Sequence, residues 1–447
     1  MVLELMTLAL MTLALMTLAL MTLGLTATRV NAQTDSASVG SIPAARSALA
    51  LRAPDEGCIR IATFNVSLHR NKAGELVEEL EKPPKKQVRR LVEIIRLVSP
   101  DILLCNEVDY DDDELSASRL MRLINEGEGV SLRRDNVRPL FQNLFTAPVN
   151  TGVDSGLDLN RDGKTGGPND AWGFGQYPGQ YGMVVMSRLP IAVGNVRSFQ
   201  NFRWSEMPGA MRPMMSDDGP YYDDATWTQL RLSSKSHWDV PVEFDGQLLH
   251  VLASHPTPPV FDGPEDRNGK RNHDEIRLFA DYAAGGQTAD YLRDDLGQRG
   301  GLGTTDAFVV LGDLNADPND GGGVAGGIQK LLEHPRVGSS PIPKSDGAVA
   351  AAVDQGGANK KHKGPSAEDT ADFNDRSSGN LRCDFVIPSN ALEIVATGVF
   401  WPTEDDLKAV DAGLLSASDH RLVWMDIRWK SKTAASAANS ENGATDK

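Results

Sequence analysis

GDLNADP, from Gly312 to Pro318, follows the apolar run AFVVL (Ala307–Leu311), and SDHRLV, from Ser418 to Val423, leads into the apolar stretch RLVWMDI. Both are runs of strand length bounded by carboxylate, carboxamide or imidazole side chains. The pattern recurs along the chain. Asn65 lies at the end of IRIATFNV (Ile59–Val66), Glu107 at the end of DILLCNEV (Asp101–Val108), His255 after LLHVLAS (Leu248–Ser254), and Asp384 at the head of the CDFVIP run. Strand ends gather along one edge of a sheet, so these termini are expected to converge on a single cleft. Taken singly they are ordinary: Asp313 with Asn315 reads as a turn after a strand, Asp419 as a cap, and Asp384 as a partner for Arg382. Independent turns would seldom repeat the pattern so many times in order. Hard divalent cations take oxygen ligands, and charge developing on a phosphoryl group needs cations and donors beside it. Carboxylates, carboxamides and two histidines suit that chemistry.

The 447 residues allow a sizeable core, and 40% hydrophobic with 24% charged residues is an ordinary globular composition. A formal net charge of -16 repels polyanions at long range and argues against strong non-specific nucleic-acid binding. Residues 5–25 form an uncharged apolar repeat, LMTLALMTLALMTLALMTLGL, followed by small residues at Val30-Asn31-Ala32. This reads as a signal peptide over 1–32, cut after Ala32, with retention as a membrane anchor the alternative. Residues 33–56 read as a linker, 57–430 as one domain, and 431–447 as a disordered tail. Three cysteines exclude a disulfide scaffold, and Cys105 and Cys383 read as small buried hydrophobes.

Further strand candidates are Tyr181–Ser187, Cys383–Ile387 and Arg421–Ile427. Val88, Leu91, Ile94, Ile95 and Val98 recur at helical spacing, with Pro100 as the stop, and a second helix is expected around His273–Ala283. Strands that outnumber helices along the whole chain predict a two-layer α+β sandwich rather than a Rossmann sheet.

In ATFNV, DILLCNEV, YGMVVMSRLPI, ASH, VVLGDLNADP, RCDFVIPS and SDHRLV, taken in that order over about 370 residues, the sequence resembles the endonuclease/exonuclease/phosphatase superfamily. WSEMPGA and SHPTPPVFDGPEDRNGKRNHDE further resemble segments of exported bacterial members. The resemblance implies a DNase I-like four-layer α/β sandwich, two packed mixed β-sheets flanked by helices. It also implies hydrolysis of a phosphodiester or phosphomonoester by in-line attack of a metal-activated water, with Mg2+ or Mn2+ as cofactor. Carried over residue by residue, Glu107 is the principal metal ligand, with Asn65 and Asp419 completing or orienting its shell. Asp313 holds or deprotonates the attacking water, and Asn315 positions a phosphate oxygen. His420 contacts the phosphoryl group, Asp384 fixes the tautomer of His420, and His255 stabilises developing charge.

Two signals lie outside that pattern. Arg267, Lys270, Arg271 and Arg277 form a basic cluster in the long connector Ser254–Arg277, and are expected to face substrate phosphate. Asp158, Asn160, Asp162 and Gly163 match the first half of a calcium loop and suggest a structural Ca2+, although the twelfth position is Asn169 instead of Glu. His69, His237, His250, His273, His334 and His362 belong to no motif and read as surface or structural residues. The substrate is expected to be a small-molecule phosphoester, a nucleic acid or a lipid head group, so a secreted nuclease and a sphingomyelinase-like hydrolase are alternatives. A binding module on the same fold is the non-enzymatic alternative. No protein partner is indicated, and a secreted or periplasmic protein with no membrane insertion after signal cleavage is expected.

Overall fold

The computed structural model describes residues 49–127, 140–215, 219–338, 341–408 and 410–430. The apolar repeat, most of the linker and the 431–447 tail lie outside them. Six strands form one sheet in the spatial order β12 (Leu392–Val399), β13 (Val423–Trp429), β1 (Ile59–Leu68), β2 (Ile102–Val108), β4 (Met183–Ser187) and β3 (Asn143–Phe145). Five form the second, in the order β11 (Asp384–Pro388), β8 (Ala307–Asp313), β7 (Gln247–Ser254), β6 (His237–Phe244) and β5 (Arg197–Ser198), and β9 (Ala371–Asp372) pairs with β10 (Asn380–Leu381) in a small antiparallel ladder of its own. Both sheets are mixed: β1 runs parallel to β2 and β7 parallel to β8, while the other pairings are antiparallel.

Strand alternation divides the apolar side chains between two faces of each sheet. Ile59, Ile61, Ile102, Leu104, Met183 and Val185 of the first sheet pack against Trp238, Val240, Leu249, Val251, Val309 and Leu311 of the second. Phe64, Val66, Leu103 and Cys105 turn the other way, onto α1 (Glu75–Glu81), α2 (Lys86–Val98) and α3 (Leu115–Glu126). On the far side Leu252, Phe308, Val310, Phe385 and Ile387 meet α4 (Arg267–Ala284) and α5 (Gly327–Leu332). The result is the four-layer, DNase I-like α+β sandwich that the resemblance implies; the strand pattern alone predicts two layers, because the helices that cover the outer face of each sheet are under-read in the sequence.

The expected strands and helices recur within a few residues, with three differences. HWDVPVEF is strand β6, although Pro241 cannot donate to a ladder. Its outer neighbour β5 is only two residues long and pairs with Trp238 and Asp239, so no ladder partner needs the missing N–H. The half-exposed β12 has too little apolar alternation to stand out in the sequence. Helix α4 begins at Arg267, so the basic cluster placed in a connector lies on a helix. Cys58, Cys105 and Cys383 are free thiols, and the last two are buried.

One polar contact fixes the start of β1 within the first sheet. Arg60, 2% exposed, makes a two-pronged ion pair with Asp426 on β13, Nε–Oδ1 2.7 Å and Nη2–Oδ2 2.8 Å. Its Nη1 donates to Val98 O at 2.7 Å, and its guanidinium lies 4.6 Å from the Trp424 ring. Removing the carboxylate strands a buried cation, so Asp426→Ala is expected to cost about 3–5 kcal/mol in urea unfolding. A loss below about 1 kcal/mol would show that the pair is not holding the sheet together.

Candidate active site

Parallel pairing brings the carboxyl ends of β1 and β2 to one edge, with Asn65 opposite Asn106, and those of β7 and β8 to the same edge of the second sheet. Antiparallel pairing then places Asp384, the first residue of β11, opposite Asp313, the last of β8. The segment before β13 returns along β1 and carries His420, whose neighbour Ser418 donates from Oγ to Asn65 O at 2.7 Å.

Asn65 joins the two sheets. Its Nδ2 donates to Glu107 Oε1 and to Asp313 Oδ2, both at 3.1 Å, and its Oδ1 accepts from Ser67 N. Beside it, Asn106 Oδ1 accepts the Asp313 N–H at 3.1 Å and Nδ2 donates to Ser254 O at 3.3 Å. Gly312 makes this approach possible. At φ 149° a side chain there would place Cβ 2.0 Å from Ser254 O. Glu107 and Asn315 adopt left-handed backbone, φ 62° and 50°. Such conformations cost roughly 1 kcal/mol or more and concentrate where side chains must be aimed.

His69 Nδ1 lies 2.9 Å from Glu107 Oε2, and its ring packs 4.5 Å from that of Tyr181. Burial would raise the Glu107 pKa, but hydrogen bonding by His69, with a further hydrogen bond from Asn65, outweighs it and holds the carboxyl at about 2. Asp313 is lowered too, because His420 and His255 overcome its burial. His420 Nδ1 sits 2.8 Å from Asp384 Oδ2, and its Nε2 lies 3.6 Å from Asp313 Oδ2. Burial opposes charge on the His420 ring, yet Asp384 and Asp313 raise its pKa to about 10. Thr370 Oγ1 donates to Asp384 Oδ2 at 2.9 Å and accepts the Cys383 and Asp384 N–H groups, which fixes the carboxylate. His255 Nε2 is 3.4 Å from Asp313 Oδ2; burial and then the charge of Lys235 lower its pKa, favouring the neutral ring. Asn315 donates from its backbone to Asp313 Oδ1 at 2.9 Å and from Nδ2 to Pro256 O at 3.1 Å.

The donor set suits a hard divalent cation. Ligand atoms of Asp313, Asp384 and His420 lie within 4.8 Å of one another. In that trio Asp384 Oδ2 is committed to His420 and Thr370, which makes Asp384 and His420 a hydrogen-bonded dyad. Glu107 is ionised, and its side chain keeps 20% of its surface, so it is the more available oxygen ligand.

A model of the endonuclease/exonuclease/phosphatase family matches residues 62–420, spanning every side chain just described. The chain belongs to the endonuclease/exonuclease/phosphatase family. It is therefore an enzyme of the phosphoester-hydrolase class. No curated protein matches the sequence. Among solved structures, it is similar to an endonuclease/exonuclease/phosphatase from Beutenbergia cavernae at 19% identity, covering 83% of this chain and 72% of that one with a TM-score of 0.47. It is also similar to a family protein from Leptotrichia buccalis at 14% identity, covering 83% and 100% with a TM-score of 0.40. Beta toxin from Staphylococcus aureus is similar at 12% identity, covering 82% and 99% with a TM-score of 0.40.

The side chains of Asn65, Glu107, His255, Asp313, Asn315, Asp384 and His420 thus meet at one edge. Asp419 is exposed; its carbonyl accepts from Asp372 N at 2.8 Å, and its charge is one of those acting on His420. The arginines expected to face substrate have other partners. Arg267 pairs with Glu265, and Arg277 with Asp281 at 3.1 Å. Arg271 donates to the carbonyls of Leu232, Trp172, Arg231 and Ser233. In the 158–163 loop, both Asp158 oxygens and Asn160 Oδ1 accept backbone N–H groups of Asp162 and Gly163, which closes the turn. His69, Asn106, Lys235 and Thr370 are the side chains at this edge that the sequence reading left out. His69 carried the one available signal, since it stands four residues after Asn65 and next to a run that ends in the cleft.

A second histidine supports the wall. His237, fully enclosed, has Ser233 Oγ 2.6 Å from Nδ1 and Glu275 O 2.9 Å from Nε2, partners that suit a neutral ring with its proton on Nε2. Burial lowers its pKa to about 4. The unfolded chain then takes up this proton before the folded one does. Stability is therefore expected to fall as pH drops from about 6.5 to 4, by an amount on the order of 3 kcal/mol. Chemical unfolding of the wild type and His237→Gln across that window should show a flatter profile in the variant, and identical slopes would refute the assignment.

Proposed function

We propose that the protein is an exported, divalent-metal-dependent phosphoesterase that hydrolyses its substrate by direct in-line attack of water. The observation that carries the reading is the joining of Glu107 and Asp313 through Asn65, with the His420–Asp384 dyad against the same Asp313 oxygen. Glu107 would hold the cation, Mg2+ or Mn2+, with Asn65 and Asp419 completing or orienting its shell. Bound there, the cation supplies positive charge against the negative charge that grows on the phosphoryl oxygens.

This chain's own residues do the rest. Asp313, kept ionised by His420 and His255, orients the attacking water and accepts its proton. Asn315, fixed by Pro256 O, positions a phosphoryl oxygen. His420 presents Nε2 as a donor while Asp384 holds Nδ1, so the protonated ring opposes developing charge in a buried, weakly screened place. His255 stabilises the same charge from the other wall.

Export rests on the apolar repeat and the small residues at 30–32. Among the described residues, no helix is long and apolar enough to cross a membrane. The net charge of -16 favours a small phosphoester over a polynucleotide.

Release of p-nitrophenol from the mono- and bis-p-nitrophenyl phosphates, with Mg2+, Mn2+ or EDTA, tests the proposal. Metal-stimulated turnover that EDTA abolishes is expected, with His420→Ala and Asp313→Ala each losing about 10²–10⁴-fold in kcat while remaining folded. EDTA-resistant turnover would remove the metal from the scheme, and a wild-type rate in either variant would remove that residue.

A further inference from the structure

Lys235 stands in the wall of the same cleft. It keeps 6% of its surface, in the short polar stretch before β6. In the antiparallel β6–β7 pair His237 faces Ser254, so the residues before His237 run beside those after Ser254, where His255 stands. Ser234 Oγ donates to His255 O at 3.4 Å, joining the two segments directly. The backbone here is held from three sides. Lys235 O accepts from Asn150 N at 2.9 Å, Ser234 N donates to Glu275 Oε1 at 2.6 Å, and Arg271 Nη2 reaches Ser233 O at 3.2 Å. The position of Lys235 is therefore built, unlike that of a lysine on a loose surface loop.

Its ammonium has no hydrogen-bond or ion-pair partner among the described residues. The charges that favour it are Glu275, Glu107 and Asp313, and each of those carboxylates is committed elsewhere. Glu275 accepts the Ser234 and Thr257 N–H groups, Glu107 is taken by Asn65 and His69, and Asp313 by Asn65, Asn315 and His255. A desolvated ammonium without an acceptor is costly, and such a group is retained where an anion completes it. A divalent cation at Glu107 would offset part of the negative charge that favours Lys235. The natural counter-charge is then an incoming anion.

We propose that Lys235 binds the phosphoryl group of the substrate, donating to a non-bridging oxygen in the space bounded by Glu107, Asp313 and His255. The proposal rests on the phosphoesterase reading for its substrate, and adds a phosphate-binding cation that no motif assigns. It also accounts for the neutral His255, because two adjacent cations would repel each other.

Binding of inorganic phosphate to the Mg2+-loaded full chain, measured by calorimetry, tests this independently of turnover. Lys235→Met is expected to weaken phosphate binding at least tenfold and to lower kcat/KM on bis-p-nitrophenyl phosphate by a similar factor. Its melting temperature should equal or exceed that of the wild type, since it removes a desolvated charge. Lys235→Arg should keep most of the phosphate affinity. A Lys235→Met protein with a lower melting temperature and a phosphate Kd within twofold of wild type would overturn the proposal. If Lys235→Met does not fold, Lys235→Gln is measured in the same way, and wild-type affinity there also overturns it. Phosphate binding without hydrolysis of either nitrophenyl compound would count against the phosphoesterase reading alone, because the Lys235→Met comparison still decides the role of this residue.

Discussion

The Asn65 carboxamide is the point on which the site depends. It sits on the first sheet and donates at once to Glu107 of that sheet and to Asp313 of the other. Asn106 makes a second bridge, to the backbone of Asp313 and Ser254. The aliphatic core between the sheets is non-directional and would tolerate a small slide of one layer on the other. These amides do not, because each is buried and a slide would leave its donors unpaired, at about 1–3 kcal/mol per group. They convert two greasy layers into a register in which carboxylates from different sheets stand a few ångströms apart.

Charge balance follows from that register. Glu107, Asp313 and Asp384 are set against His69, His420 and Lys235 in little water, with His255 as a neutral donor beside them. Buried carboxylates so close together would protonate in isolation; hydrogen bonding and opposing charge keep Glu107 and Asp313 ionised and His420 protonated. Among the described residues at this edge, the Lys235 ammonium is left without an acceptor. The polarity a phosphoryl group requires is thus present before any substrate arrives, and little reorganisation is needed when it does.

The strands that end in this cleft were legible because each combines a short apolar run with a terminal polar residue. Asn65, Glu107, His255, Asp313, Asp384 and His420 all carry that mark. β6 was hidden by Pro241, whose missing N–H matters only if a full-length strand lies on both sides. Arg271 looked like a phosphate ligand because charge is visible in a sequence and its partners are not; it is spent on four carbonyls. His69 and Lys235 sit in polar stretches where nothing distinguishes them from solvated residues.

The sequence by itself determined the layers and the chemistry available at their edge. Periodicity two sorts each strand's residues between faces, and the ordered termini supply oxygen and imidazole groups in a family's order. Only the tertiary structure decided which groups touch. Pairing direction and sheet-to-sheet register set whether Asn65 reaches Asp313, whether His69 reaches Glu107, and whether Lys235 meets a carboxylate or is left for a ligand. Those distances depend on packing between segments far apart in the chain, such as Asn65 and Asp313 or Glu107 and His255, and no local pattern encodes them.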